Sequence, residues 1–216
     1  MDEKRHWETV YGTKAPDAVS WFQPTAARSL ALIRRVASML DAPIIDVGGG
    51  ASMLVDDLLR AGYADLTVLD LASSALATAQ ARLGADADGV RWLEADVRTA
   101  SLPVAHFAVW HDRAVFHFLT DAADRAAYVR QVQRAVRPGG FVLVATFAED
   151  GPAKCSGLPV ARYTPEELHR EFGGEFELLT SERESHETPM GTVQSFIYCL
   201  CRWDGTDASH STRPPG

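Results

Sequence analysis

The chain has 216 residues, 46% of them hydrophobic and 23% charged, and a formal net charge of −8. This length suits one domain with a sizeable core, no apolar run approaches the ~20 residues of a membrane-spanning helix, and an acidic chain without a Lys/Arg run is a poor match for nucleic acid. The charged N-terminus lacks the apolar stretch of a secretory signal. The three cysteines, Cys155, Cys199 and Cys201, fit neither a paired disulfide framework nor a zinc spacing. Reduced thiols, a cytoplasmic location and a small-molecule partner are therefore expected.

Residues 2 to 22 mix charge with Trp7, Tyr11, Trp21 and Phe22 around a proline break, which suits a helix followed by a second short helix or a loop. From Pro24 to Leu40, the apolar residues Leu30, Ile33, Val36, Ala37 and Leu40 recur at helical spacing, so an amphipathic helix is predicted there. Pro43 to Val47 is an apolar, β-branched run that contains Asp46 and ends in Gly48-Gly49-Gly50. It reads as a first strand turning into a helix, with glycines that allow positive φ and close backbone approach to a ligand.

Leu66 to Leu71 reads as a second strand carrying Asp70, followed by a helix that Ser73 or Ser74 can cap and Gly84 stops. Val90 to Asp96 is a third strand and Phe107 to Trp110 a fourth, leading into His111-Asp112-Arg113. A helix opening at Asp121 ends at Arg137-Pro138-Gly139-Gly140, and Phe141 to Phe147 is a fifth strand. Residues 148 to 163 read as an irregular loop, after which Thr164-Pro165-Glu166-Glu167 signals a capped helix. Phe176 to Glu182 and Val193 to Arg202 lack an intervening helix and should pair antiparallel. Beyond Trp203 no apolar periodicity remains, and a disordered tail over 204–216 is expected.

Alternating strands and helices imply a parallel sheet whose ligands lie at the carboxyl ends of the strands. The glycine turn, Asp70, Asp96 and His111-Asp112 all fall there. A dinucleotide turn wants a third glycine where Met53 stands, which disfavours a nicotinamide oxidoreductase. Asp46, two residues before the first glycine, would repel a pyrophosphate and welcome a cationic amino-acid group.

Asp46-Val47-Gly48-Gly49-Gly50-Ala51-Ser52, Val68-Leu69-Asp70, Glu94-Ala95-Asp96-Val97 and Arg137-Pro138-Gly139-Gly140 together resemble the class I S-adenosylmethionine-dependent methyltransferases, over about residues 40 to 203. The resemblance implies an α/β, Rossmann-like fold with helices on both faces of a seven-stranded sheet, order 3-2-1-4-5-7-6, the last strand antiparallel. It divides the chain into an N-terminal helical lid (1–40), the cofactor-binding domain (41–203) and the tail. It implies S-adenosyl-L-methionine as cofactor, with Gly48 and Gly50 beside the methionine portion, Asp70 and Leu71 at the ribose, and Asp96 and Val97 at the adenine. Tyr11 and Trp21 belong to the implied lid, and His111 to the cofactor's surroundings. One departure is Ser52, which stands where the family's usual third glycine falls.

Methyl transfer needs donor and acceptor held in line in a dry site, with a base only where the acceptor is protonated. His111, Asp112 and His117 are the candidate bases, with core histidine packing and a capping or positioning acid as the alternatives for the last two. Cys155, Arg162 and Tyr163 lie in the loop where this family forms its acceptor pocket; a space-filling thiol, a solvated arginine and a packed tyrosine are the plainer readings. A metal is not expected, because His111 and His117 stand six apart rather than at i, i+4. The expected acceptor is a small molecule bearing a thiol or other soft nucleophile. Protein lysine methylation and a non-catalytic cofactor-binding module are the alternatives.

Overall fold

The computed structural model describes residues 3–205. Met1 and Asp2, and the tail from residue 206 onward that was expected to be disordered, lie outside the described residues. Its centre is a seven-stranded sheet built from β1 (Ile44–Val47), β2 (Leu66–Asp70), β3 (Val90–Glu94), β4 (Phe107–Arg113), β5 (Val136–Phe147), β8 (Phe176–Glu187) and β9 (Val193–Trp203), in the order β3-β2-β1-β4-β5-β9-β8. β9 runs antiparallel to both β5 and β8, as expected for the final strand. The helices are α1 (Glu3–Thr13), α2 (Ala27–Val36), α3 (Leu54–Arg60), α4 (Ser73–Leu83), α5 (Ala122–Ala135) and α6 (Pro165–Phe172).

The sheet carries a core on each face. Ile45, Val47, Trp110 and Val144 pack with residues of α5 and α6 on one side; Ile44, Val109, Leu143 and Ala145 pack with residues of α2 and α3 on the other. β1 and β2 are buried at every position, the pattern of parallel strands covered on both sides.

Three local expectations are corrected. Arg137-Pro138-Gly139-Gly140 does not lie beyond the helix as a separate stop: β5 already begins at Val136, paired with Phe107, and the register slips before Val109 meets Phe141. The proline without an N–H and Gly139 at φ +75° occupy that slip. The loop 148–163 contains a small hairpin of β6 (Lys154–Cys155) and β7 (Leu158–Pro159), turned by Ser156 and Gly157, both at positive φ, as a two-residue turn of this hand requires. Neither Ser73 nor Ser74 caps α4 with its own side chain. The Glu8 carboxylate of α1 does so, accepting from the backbone N–H of Ser73 (2.7 Å) and Ser74 (3.2 Å) and from the Ser73 hydroxyl (2.9 Å). These bonds, led by contact with Ser74, hold Glu8 below the usual carboxylate range.

Candidate active site

At the carboxyl ends of β1 to β4 lies a cavity of about 270 Å³, walled by Gly48, Asp70, Leu71, Asp96, Val97 and Arg113 among others, and roofed by Trp7, Tyr11 and Trp21. Phe118 closes one flank and Cys155, at the tip of the β6–β7 hairpin, another. The aromatic rings meet edge to face, Trp7 with Trp21 at 5.8 Å, Trp7 with Phe118 at 5.0 Å and Tyr11 with Trp21 at 6.1 Å. A smaller pocket beside it is lined by Ser29, Asp46, Gly48, Gly49, His111 and Arg113.

The glycine turn is shaped by what a side chain there would strike. A Cβ on Gly48 would fall 2.0 Å from Val115, one on Gly49 2.5 Å from Asp46 Oδ2, and one on Gly50 2.5 Å from Asp70 Oδ2. The missing methyls thus leave two carboxylates directly beneath the turn. Gly48 also sits at φ +67°, a conformation an L side chain rarely adopts.

Asp70 Oδ1 accepts the N–H of Ala72 at 2.9 Å. Burial pushes its carboxyl up to about 7, partly offset by that N–H and reinforced by the charge of Asp46. Asp96 is tied to Arg98 by the backbone N–H and the guanidinium, at 2.6–3.0 Å. Tyr11 is driven well above the ordinary phenol range by burial, with Asp70's charge adding to it, and burial pushes the Cys155 thiol up to about 11.

β4 settles the three residues at its end. Asp46 pairs with His111 and Val47 with Asp112 in register, and successive side chains of a strand face opposite ways. His111 therefore faces α2, donating or accepting at 2.7 Å with Asp46 Oδ1 and 2.9 Å with Ser29 Oγ. Asp112 faces α5, accepting from Val115 N–H (2.9 Å), Phe116 N–H (3.1 Å) and the Tyr128 hydroxyl (2.6 Å). Burial raises Asp112 to about 6 against those bonds. Asp112 is not among the residues that line the cavity, and its bonds to the Val115–Phe116 turn match the capping or positioning alternative.

His117 is likewise fully buried, its Nδ1 accepting weakly from Phe147 N–H at 3.4 Å, and burial, with Arg113's charge, depresses it to about 3. It also falls outside the cavity wall. Of the expected acceptor residues, Cys155 lines the cavity. Arg162 instead donates to the Gly151 carbonyl, and Tyr163, bridged to Ala148 at the end of β5, packs in the core against Phe116 at 5.9 Å. Arg113, absent from the expected set, reaches both pockets: Nε donates to the Tyr198 hydroxyl (2.9 Å) and Nη1 to the Trp21 carbonyl (3.1 Å). Its place directly after His111-Asp112 was the available signal. For Ser29, in mid-helix, there was none.

A cofactor with a zwitterionic amino-acid end can be tested against this geometry. Asp46 Oδ2 and Arg113 Nη2 are both buried without a hydrogen-bond partner, Glu184 being 3.5 Å from the latter, and both residues line the smaller pocket. The open carboxylate oxygen of Asp46 suits an ammonium, and the Arg113 guanidinium, though ion-paired with Glu184, keeps one nitrogen without a hydrogen bond that suits a carboxylate. Among the described residues no cluster of histidine, cysteine or acidic groups is arranged to hold a metal ion, and no helix is long and apolar enough to cross a membrane.

The sheet order, the glycine turn and the acids beside it are those of the class I S-adenosylmethionine-dependent methyltransferases. The family model described as "Methyltransferase domain" matches residues 44–140. The chain is similar to human EEF1A lysine methyltransferase 2, 22% identical over 83% of this chain and 76% of that protein. It is also similar to the ubiquinone biosynthesis O-methyltransferase of Paracidovorax citrulli, 29% identical over 62% of this chain and 56% of that one. Some curated relatives are matched over only about half their length, 54% for the mycobacterial ones. A solved 1,6-didemethyltoxoflavin-N1-methyltransferase of Burkholderia thailandensis, holding S-adenosylhomocysteine, superposes with a TM-score of 0.67 at 20% identity, covering 94% of this chain and 84% of that one. The cofactor is S-adenosylmethionine.

Proposed function

We propose that this chain transfers a methyl group from S-adenosylmethionine to a small, largely apolar acceptor whose nucleophile ionises on its own near neutral pH, a thiol or a comparably soft group. The observation that carries this reading is that, among the described residues, no uncommitted proton acceptor lines the cavity on its Phe118–Cys155 side. The titratable side chains lining it are Glu3, Tyr11, Asp70, Asp96, Arg98, Arg113 and Cys155. Tyr11 and Cys155 are held in their neutral forms, Glu3 and Asp96 are both engaged by Arg98, and Asp70 lies under the glycine turn. A base that contributes roughly 10²- to 10⁴-fold for protonated acceptors has no candidate at the Phe118–Cys155 side.

When bound, the cofactor supplies an electrophilic methyl on a sulfonium. The chain's own residues hold and enclose it: Asp46 and Arg113 take the amino-acid end beside Gly48 to Gly50, Asp70 accepts the ribose hydroxyls, and Leu71, Asp96 and Val97 border the adenine. Trp7, Tyr11, Trp21 and Phe118 exclude water and present ring faces and edges around a cationic centre. Asp112 acts as a positioning residue, fixing the Val115–Phe116 turn that leads to Phe118. Buried Cys155, Cys199 and Cys201, all unpaired, suit a reducing compartment such as the cytoplasm.

The lysine-methylating relative supports a second reading, in which a protein lysine is the acceptor. A lysine must lose its proton first, at about pKa 10.4 in water, and that is the step this cavity equips least. The test is a methyl-donor turnover assay across aromatic thiols, phenols, amines and protein extract. Turnover confined to thiols or similarly acidic acceptors is expected. Labelling of a protein band alone would favour the lysine reading, and tight cofactor binding without any turnover would favour a non-catalytic module.

A further inference from the structure

Three buried polar side chains from three elements form one chain of contacts: Ser29 of α2, His111 of β4 and Asp46 of β1, exposed by 1%, 2% and 3%. Ser29 Oγ lies 2.9 Å from His111 Nε2, and His111 Nδ1 lies 2.7 Å from Asp46 Oδ1. A carboxylate oxygen only accepts, so Nδ1 carries the proton it shares with Asp46. The serine hydroxyl then completes the ring's bonding by donating to Nε2. Two of the carboxylate's positions are thereby fixed, the ring at Oδ1 and the glycine turn above Oδ2, where any Cβ on Gly49 would intrude at 2.5 Å. Oδ2 itself is buried and unpartnered.

A buried carboxylate oxygen without a partner costs free energy unless a ligand supplies one. An isolated aspartate could relieve that cost by rotating. Here rotation would break the bond to His111, and His111 cannot follow because Ser29 holds its far nitrogen. We infer that Ser29 and His111 are positioning residues that lock Asp46 with Oδ2 presented to the ammonium group of the cofactor's amino-acid end. His111 is thus not a base for the acceptor: both its ring nitrogens are engaged in the lock. The inference rests on the reading above that the amino-acid end sits in the smaller pocket.

The experiment compares two ligands by calorimetry on the full chain. S-adenosylhomocysteine carries the amino-acid end; 5′-deoxy-5′-methylthioadenosine shares the nucleoside and thioether but lacks that end. Ser29→Ala should weaken S-adenosylhomocysteine binding by roughly three- to tenfold, the loss of about one hydrogen bond's worth of order, and His111→Asn by more. Both variants should bind methylthioadenosine like the unaltered protein. Nitrogen NMR of the imidazole should show the Nδ1-protonated tautomer in the unaltered protein and a loss of that single tautomer in Ser29→Ala. Equal weakening of both ligands would assign the chain of contacts a purely structural role and overturn the proposal, as would unchanged S-adenosylhomocysteine affinity in a folded Ser29→Ala. If the unaltered protein binds both ligands equally well, the placement of the amino-acid end fails, and the proposal fails with it.

Discussion

Asp70 is the residue whose chemistry is most exposed to a pH test. Its folded value of about 7 lies above the ordinary aspartate value of about 3.9. Between those limits the folded protein holds a proton that the unfolded chain has released, so stability from this group falls as pH rises through that window. Ligand binding runs the opposite way, because hydroxyls donating to a carboxylate favour the ionised form. Affinity for S-adenosylhomocysteine should therefore drop as pH is lowered from 8 toward 6, and Asp70→Asn should flatten that profile and weaken binding by roughly 10- to 100-fold. Calorimetry across this range checks both; a flat profile in the unaltered protein would remove Asp70 from the ribose. Asp46 and Asp70 were legible as residues because each falls at or near the carboxyl end of an apolar run. Their orientations were not, since the room that the glycines leave above them depends on how the turn folds back over the strand ends. The role of Asp112 was not: adjacent residues of a strand point to opposite faces, and nothing in His111-Asp112-Arg113 says which face holds the cavity.

At the scale of elements, α1 is attached to the domain by the aromatic contacts of Trp7 and Tyr11 and by a set of polar contacts. Val10 is its one buried residue. Lys4 pairs with Glu94 at the end of β3, Glu3 with Arg98 at 2.7 Å, and Glu8 caps α4. Exposed pairs of this kind are individually weak and are screened by salt, yet they fasten the helix that carries Trp7 and Tyr11 over the cavity. Glu8→Ala removes a cap bond of a kind worth about 1 kcal/mol and should speed dissociation of S-adenosylhomocysteine by several fold, with high salt acting in the same direction on the unaltered protein. Stopped-flow displacement measures both; unchanged rates would show that the helix does not gate the cavity. The seven strands were readable from apolar runs, but their boundaries less so: β5 starts before Pro138-Gly139-Gly140, and β4 and β8 run on through polar residues to Arg113 and Glu187. The β6–β7 hairpin escaped because its strands are two residues each, too short for any periodicity, and the capping of α4 escaped because its partner lies 65 residues earlier in the chain.

Across the whole molecule, the N-terminal segment spans from one edge of the sheet to the other. Its beginning touches β3 through Lys4, and further along Gln23 and Arg28 reach Glu184 and Glu182 on β8, the opposite edge strand. Arg113 joins this arrangement at the centre, contacting Trp21, Tyr198 and the face of Phe196. No local signal announces such long-range pairs, which is why the fold was readable in the sequence to a greater extent than the enclosure of the site.

The aromatic roof also has an optical consequence. Of five tryptophans, Trp110 and Trp203 are buried in the core and Trp92 donates to the Ala87 carbonyl, whereas Trp7 and Trp21 face the cavity edge to face. Their emission should respond to whatever enters beneath them, while the other three provide a constant background. Titration with S-adenosylhomocysteine should change the intrinsic fluorescence along the same curve as calorimetric binding, and Trp7→Phe with Trp21→Phe should silence the signal while heat is still released. The aromatic roof would then serve as a label-free gauge of occupancy, readable in a dilute cuvette without a dye or a radioactive methyl group.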